Sequence, residues 1–96
     1  MKIPKRFKLF NHEYIVKFED DLQKDKDIWG ECRMRRQEIA LDSNIKQSFL
    51  EQTFCHELVH LIFDSLSERE LSSNEKLVNT FSELLYQALE TMEYEK

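Results

Sequence analysis

The hydrophobic period of this chain changes once, near residue 43, and that change constrains the fold more than any other feature. Before it, Phe7 and Leu9, then Tyr14, Val16 and Phe18, alternate with polar residues, the spacing of half-buried strands. After it, Leu50, Phe54, Leu58, Leu61 and Ile62 recur at helical spacing, an apolar stripe along one helix face. Strands first and helices after is the pattern of an α+β domain, here a short antiparallel sheet packed against two helices. The 96 residues are expected to form one domain around one modest core. Residues 1–42 make its strand-rich part, 45–66 its first helix and 73–92 its second.

Within that layout, Asn11 and His12 stand between the first two strands, where a tight hairpin turn is expected. Residues 20–29 are charged and read as a loop. Two short strands follow over 31–36 and 38–42, the latter with Ile39 and Leu41 on one face. The first helix also carries Phe49, Val59 and Phe63 off its main stripe, so it should lie between two layers. Ser67 to Ser73 connects the helices. Ser72 or Ser73 is the expected N-cap, and Ser72 with Glu75 has capping-box spacing. The second helix then offers Leu77, Phe81, Leu84, Leu85, Ala88 and Met92 as its core stripe.

Charge and apolar runs exclude some functions. Fourteen basic against nineteen acidic residues leave a net charge of −5, which gives nothing to a phosphate backbone, so no nucleic-acid partner is expected. The local run Arg33, Met34, Arg35, Arg36 reads as a solvated strand face. No apolar run approaches the ~18 residues of a membrane span, so no membrane partner is expected. The basic N-terminus lacks the apolar core of a secretory signal. The expected location is therefore cytoplasmic. Cys32 and Cys55 are too few for a disulfide framework and too far apart in sequence for a zinc-ligand pair. They read as two reduced, partly buried thiols.

The chemistry is concentrated in Thr53-Phe54-Cys55-His56-Glu57-Leu58-Val59-His60. The segment contains H-E-x-x-H inside a stretch already read as helix, which is the context that this motif needs. Residues four apart share a helix face, so both imidazoles can reach one ion. Neutral imidazole nitrogen suits Zn2+. Glu57 follows the first histidine and is offset from that face, where it can serve as a base without being a ligand. The pattern arises by accident in about 1% of chains of this His and Glu content, which weighs against two incidental surface histidines.

A catalytic zinc takes three protein ligands and one open position. Glu75 is the first choice for the third ligand, because an antiparallel second helix would bring its first turn back toward the histidines. The competing reading of Glu75 is a capping-box residue favoured by the helix dipole. Asp64, another four residues beyond His60, ranks next, although three ligands on one straight helix would strain the geometry. Glu83 ranks third. A metzincin arrangement is excluded, since Phe63 stands where it needs Gly and Leu66 where it needs a ligand. Asn79 is a candidate for orienting a ligand, Tyr86 for an oxyanion donor, and His12 for an approach from the hairpin turn.

With these residues the chain resembles the gluzincin branch of the zincins, and within it the small ImmA/IrrE-type peptidases of prophages and mobile elements. The shared residues are His56, Glu57 and His60 in His-Glu-Leu-Val-His, and Glu75 in Asn74-Glu75-Lys76-Leu77-Val78-Asn79-Thr80-Phe81. The resemblance covers the second half of the chain. It implies a zinc metallopeptidase with His56, His60 and Glu75 as ligands and Glu57 as general base. The implied substrate is a protein or peptide, such as a regulator of a mobile element. No DNA-binding or sensing domain fits in 96 residues, so a stand-alone catalytic core of phage or prophage origin is implied. Two other classes stand beside it: a zinc-stabilised module that binds a partner protein without cutting it, and a metal-free structural domain in which the motif is accidental.

Overall fold

Residues 1–95 are described by a computed structural model. The chain starts with a hairpin, β1 (Arg6–Leu9) and β2 (His12–Glu19). Its two-residue turn is Phe10–Asn11, one residue earlier than Asn11–His12. Both turn residues have positive φ, 49° and 64°, as a type I′ turn demands. The charged stretch expected as a loop holds a short helix, α1 (Leu22–Lys26), pinned by Leu22 in the core and by Gln23 N–H donating to Asp42 Oδ2 at 2.9 Å.

The chain next lays down β3 (Gly30–Arg33) at the far edge of the sheet and turns back through a 3-10 turn (Met34–Arg36). It returns as β4 (Glu38–Asp42) into the slot between β2 and β3. The strand expected over 31–36 therefore ends three residues early. The spatial order is β1-β2-β4-β3. Two pairs are antiparallel, as expected, but β2 and β4 run parallel, so the sheet is mixed. The crossover through α1 is long enough to allow that direction.

β4 is central and buried along its whole length. Ile39 and Leu41 face the helices and join Tyr14, Leu50, Phe54, Cys55 and Leu61 in the main core. Each such fully buried aliphatic contributes about 1.5–3 kcal/mol. On the other face Ala40 lies beneath a roof of ion pairs. There Arg33 Nη1 and Nη2 meet Glu19 at 2.7 and 2.9 Å, and Arg33 Nε meets Glu31 at 2.8 Å. The arginine run is thus partly built into the sheet rather than only solvated.

Helix α2 (Gln47–Ser65) lies between the sheet and helix α4 (Glu75–Thr91), which explains its two apolar sides. A second cluster of Val59, Phe63 and Val78 joins α2 to α4. β3 and α2 approach closely at Gly30. A Cβ there would fall 2.8 Å from Thr53 Cγ2 and 3.0 Å from the Ala40 carbonyl oxygen, so only glycine fits without a shift.

The connection between the helices contains a further short helix, α3 (Arg69–Ser73). The N-cap of α4 is Asn74, whose Oδ1 accepts from Leu77 N–H at 3.0 Å, in place of Ser72 or Ser73. The expected core stripe of α4 is also turned. Val78 and Ser82 are buried, whereas Phe81, Leu84 and Met92 are exposed. That rotation directs Glu75, Asn79 and Glu83 to the cleft described below. Among the described residues no helix is long and apolar enough to cross a membrane.

Candidate metal centre

α2 places His56 and His60 one turn apart, with ring centroids 4.9 Å from one another. α4 runs back along α2 and brings Glu75, the first residue after its N-cap, over both rings. Glu75 Oε1 lies 3.6 Å from His60 Nε2, and Oε2 lies 3.9 Å from His56 Nε2. One ligand atom from each of the three residues lies within 4.8 Å of the others. Zinc bonds of about 2.0–2.2 Å in tetrahedral geometry need ligand atoms roughly 3.3–3.5 Å apart, so the donor set fits such an ion with small side-chain movements. Because Asn74 caps the helix, Glu75 is free of capping duty and is 65% exposed.

His60 also has an orienting partner. His60 Nδ1 lies 3.0 Å from Ser72 Oγ, which leaves Nε2 toward Glu75. Ser72 is buried in α3, and its expected role as a cap passes to Asn74. Asn79, one turn beyond Glu75, lines the same cleft as His56, on the side where an orienting group was expected. Burial, then the charge of His60, hold His56 below the ordinary imidazole value. It is therefore neutral and ready to ligate at neutral pH.

Glu57 is 8% exposed at the cleft wall beside the two histidines. Burial pushes its carboxyl up to about 7, against the opposing effect of the Cys32 thiol and main-chain N–H. The position of Cys32 follows from strand pairing. Asp42 N–H donates to the Trp29 carbonyl at 2.8 Å, so antiparallel alternation turns Gly30 and Cys32 main-chain groups away from β4. The outward N–H of Cys32 favours the charged form of Glu57. Burial, then the Glu57 charge, push the Cys32 thiol up to about 12, so it stays protonated and is no nucleophile.

His56, Glu57, His60, Glu75 and Asn79 line one cleft of about 540 Å³ between the β3 edge, α2 and α4. Trp29 and Phe49 form a half-exposed aromatic ledge at one end, 5.3 Å apart and edge to face. Several expected residues are elsewhere. Asp64 does not line the cleft. Glu83 lines it but stands outside the three-residue cluster. Tyr86 donates to Glu51 Oε1 at 3.0 Å, outside the cleft lining, and His12 is exposed at the start of β2. Ser72, Cys32 and Trp29 were not expected at the site. The sequence signal of Ser72 matches that of a helix cap, and the other two carry no motif.

Comparison with protein families, with curated proteins and with solved structures finds no match to this chain.

Proposed function

We propose that the chain is a zinc-dependent metallopeptidase, with His56, His60 and Glu75 as zinc ligands and Glu57 as general base. The convergence of three ligand atoms within 4.8 Å carries this reading. The neighbouring buried carboxylate of Glu57 supports it. A zinc ion held there supplies a Lewis acid that brings water toward a pKa of ~7 and polarises a carbonyl.

The remaining chemistry belongs to the chain's own side chains. Glu57 would accept the proton of the attacking water and pass it to the leaving amine. Cys32, at the strand edge, favours the charged form of that carboxyl. Ser72 keeps the His60 imidazole turned to the ligand position. The outward main-chain groups of Gly30 and the Cys32 carbonyl offer an extended polypeptide a strand to pair with. That edge is β3; the strand at 38–42 is central and has no free edge. The substrate is a protein or peptide, and the likeness to ImmA/IrrE-type peptidases points to a regulator of a mobile element. The unpaired Cys32 and Cys55 suit a reducing, cytoplasmic setting.

One observation favours the second reading, a zinc-stabilised module that binds without cutting. Among the described residues no Lys, Arg or Tyr side chain lines the cleft to meet an oxyanion. One experiment separates the two readings. The purified chain, loaded with one equivalent of zinc, is incubated with unstructured protein substrates, with and without chelator, beside Glu57→Gln. Chelator-sensitive cleavage that Glu57→Gln loses while keeping its zinc is the expected result. Zinc binding with no cleavage by either form leaves the binding module, and no zinc binding removes both.

A further inference from the structure

The two ends of the β3 edge carry opposite charge. Gly30 lines the cleft, whose other walls include Asp27, Glu75 and Glu83 and no Lys or Arg. Cys32 and Arg33 line a second hollow, completed by Lys26, Met34, Arg35 and Arg36, with no Asp or Glu. With Glu75 and Glu57 assigned to the metal and the base, Asp27 and Glu83 remain as surplus negative charge at the first end. At the other end Lys26 and Arg33 are already paired with Glu31 and Glu19. Arg35 and Arg36 are exposed and form no ion pair among the described residues. A strand rises about 3.3 Å per residue, so roughly 10 Å separates Gly30 from Arg33, and a paired polypeptide meets both ends within a few residues.

From this arrangement we infer that the site selects an extended polypeptide whose charge reverses along its length, acidic where it passes Arg35 and Arg36 and basic where it crosses Asp27 and Glu83. This rests on the hydrolase reading only for its use; the charge selection itself is a property of binding. Antiparallel pairing has the straighter hydrogen bonds. It lays the N-terminal part of the ligand at the arginines and its C-terminal part at the carboxylates. The acidic balance of the whole chain works against any uniformly acidic ligand, so the arginine end acts locally, within a Debye length of about 8 Å at physiological salt.

The test uses three fluorescein-labelled peptides of roughly twelve residues, long enough to span the edge at strand rise. One has two Glu near its N-terminus, a neutral apolar middle and two Lys near its C-terminus. The second has the same composition with the charges exchanged, and the third has Gln at all four positions. Anisotropy is read with zinc-loaded Glu57→Gln, and cleavage with the zinc-loaded native sequence. The Glu-first peptide should bind at least about tenfold tighter than the Lys-first one, by steering and pairing of exposed charges. That preference should fall below about threefold when Arg35→Gln/Arg36→Gln or Asp27→Asn/Glu83→Gln is added to Glu57→Gln, and should shrink as salt is raised. Equal affinities for the two orders, or preference for the Lys-first peptide, would overturn the proposal. Ordered binding without cleavage would remove the hydrolase reading alone. Cleavage indifferent to charge order, with indifferent binding, would remove the charge selection alone.

Discussion

Ser72 Oγ and His60 Nδ1 lie 3.0 Å apart, and that contact fixes which nitrogen of His60 is offered to Glu75. A serine in the connection between two helices thereby sets the face of a ring on the first of them. Ser72→Ala should leave the fold intact and weaken zinc binding by about tenfold, the low end for loss of a group that orients a ligand. Competition with a zinc chelator of known affinity measures the change. An unchanged affinity would mean that packing alone holds the ring.

The three proposed ligands should behave as one set. His56→Ala, His60→Ala and Glu75→Ala should each lower zinc content well below one per chain after dialysis, since a three-ligand site loses its geometry with any member. Asp64→Asn should retain full zinc, because Asp64 lies outside the cluster. Metal analysis of the four variants decides between Glu75 and the alternatives.

Glu57→Gln should abolish hydrolysis while preserving one zinc per chain. The substitution also removes a carboxyl that burial has pushed up to about 7. The sign follows from the raised value. The carboxyl ionises at a higher pH in the fold than in the unfolded chain, so its contribution favours the fold at low pH and is lost as pH rises through about 7. In the metal-free chain, Glu57→Gln should therefore gain melting temperature relative to its parent as pH rises from 5 to 8. A constant difference across that range would show that the carboxyl is not desolvated.

Gly30→Ala tests the approach of β3 to α2. Its methyl would meet Thr53 Cγ2 at 2.8 Å and a backbone oxygen at 3.0 Å, and overpacking of this kind costs about 1–3 kcal/mol. Adding Thr53→Ser removes the side-chain clash and leaves the Ala40 carbonyl, so it should recover part of the loss and not all. Urea denaturation of the two variants reads both outcomes.

Arg33→Gln tests the roof over Ala40. The Arg33 guanidinium holds the Glu19 carboxyl below its ordinary value of 4.5. A depressed carboxylate stabilises the fold above that value and stops doing so as pH falls through its lower folded value. The variant should therefore be less stable at pH 7 by about 1 kcal/mol, with the partial exposure of the pair allowed for. The gap should close as pH falls below 4.5. Thermal melts at pH 7 and pH 3 give the comparison.

Much of the candidate site was legible because its information is local. His56, Glu57 and His60 lie within five residues on one helix, and helical periodicity alone puts both rings on one side. Glu75 was legible at one remove, through the expectation that two helices joined by a short connection pack antiparallel. Asn79 followed from Glu75 by one turn. The cap was misplaced because Ser72, Ser73 and Asn74 are all good caps, and only the path of the chain chooses among them. The core stripe of α4 was misplaced for a related reason. Its apolar residues cover a wide arc, and the face that turns inward is decided by Phe63 and Val59 on the helix opposite.

By itself, then, the amino-acid order determined the α+β layout, the helix that carries the motif and the two histidines, since each depends on periodicity over a few residues. The tertiary structure decided the rest: that β4 enters between β2 and β3, that Cys32 meets Glu57, that Ser72 meets His60, and that Asp27 and Arg36 mark opposite ends of one strand edge. Cys32 and Glu57, like Ser72 and His60, are separated by many residues in the chain. Their meeting depends on a crossover direction and a helix rotation that burial of the whole core selects, and no local pattern encodes them.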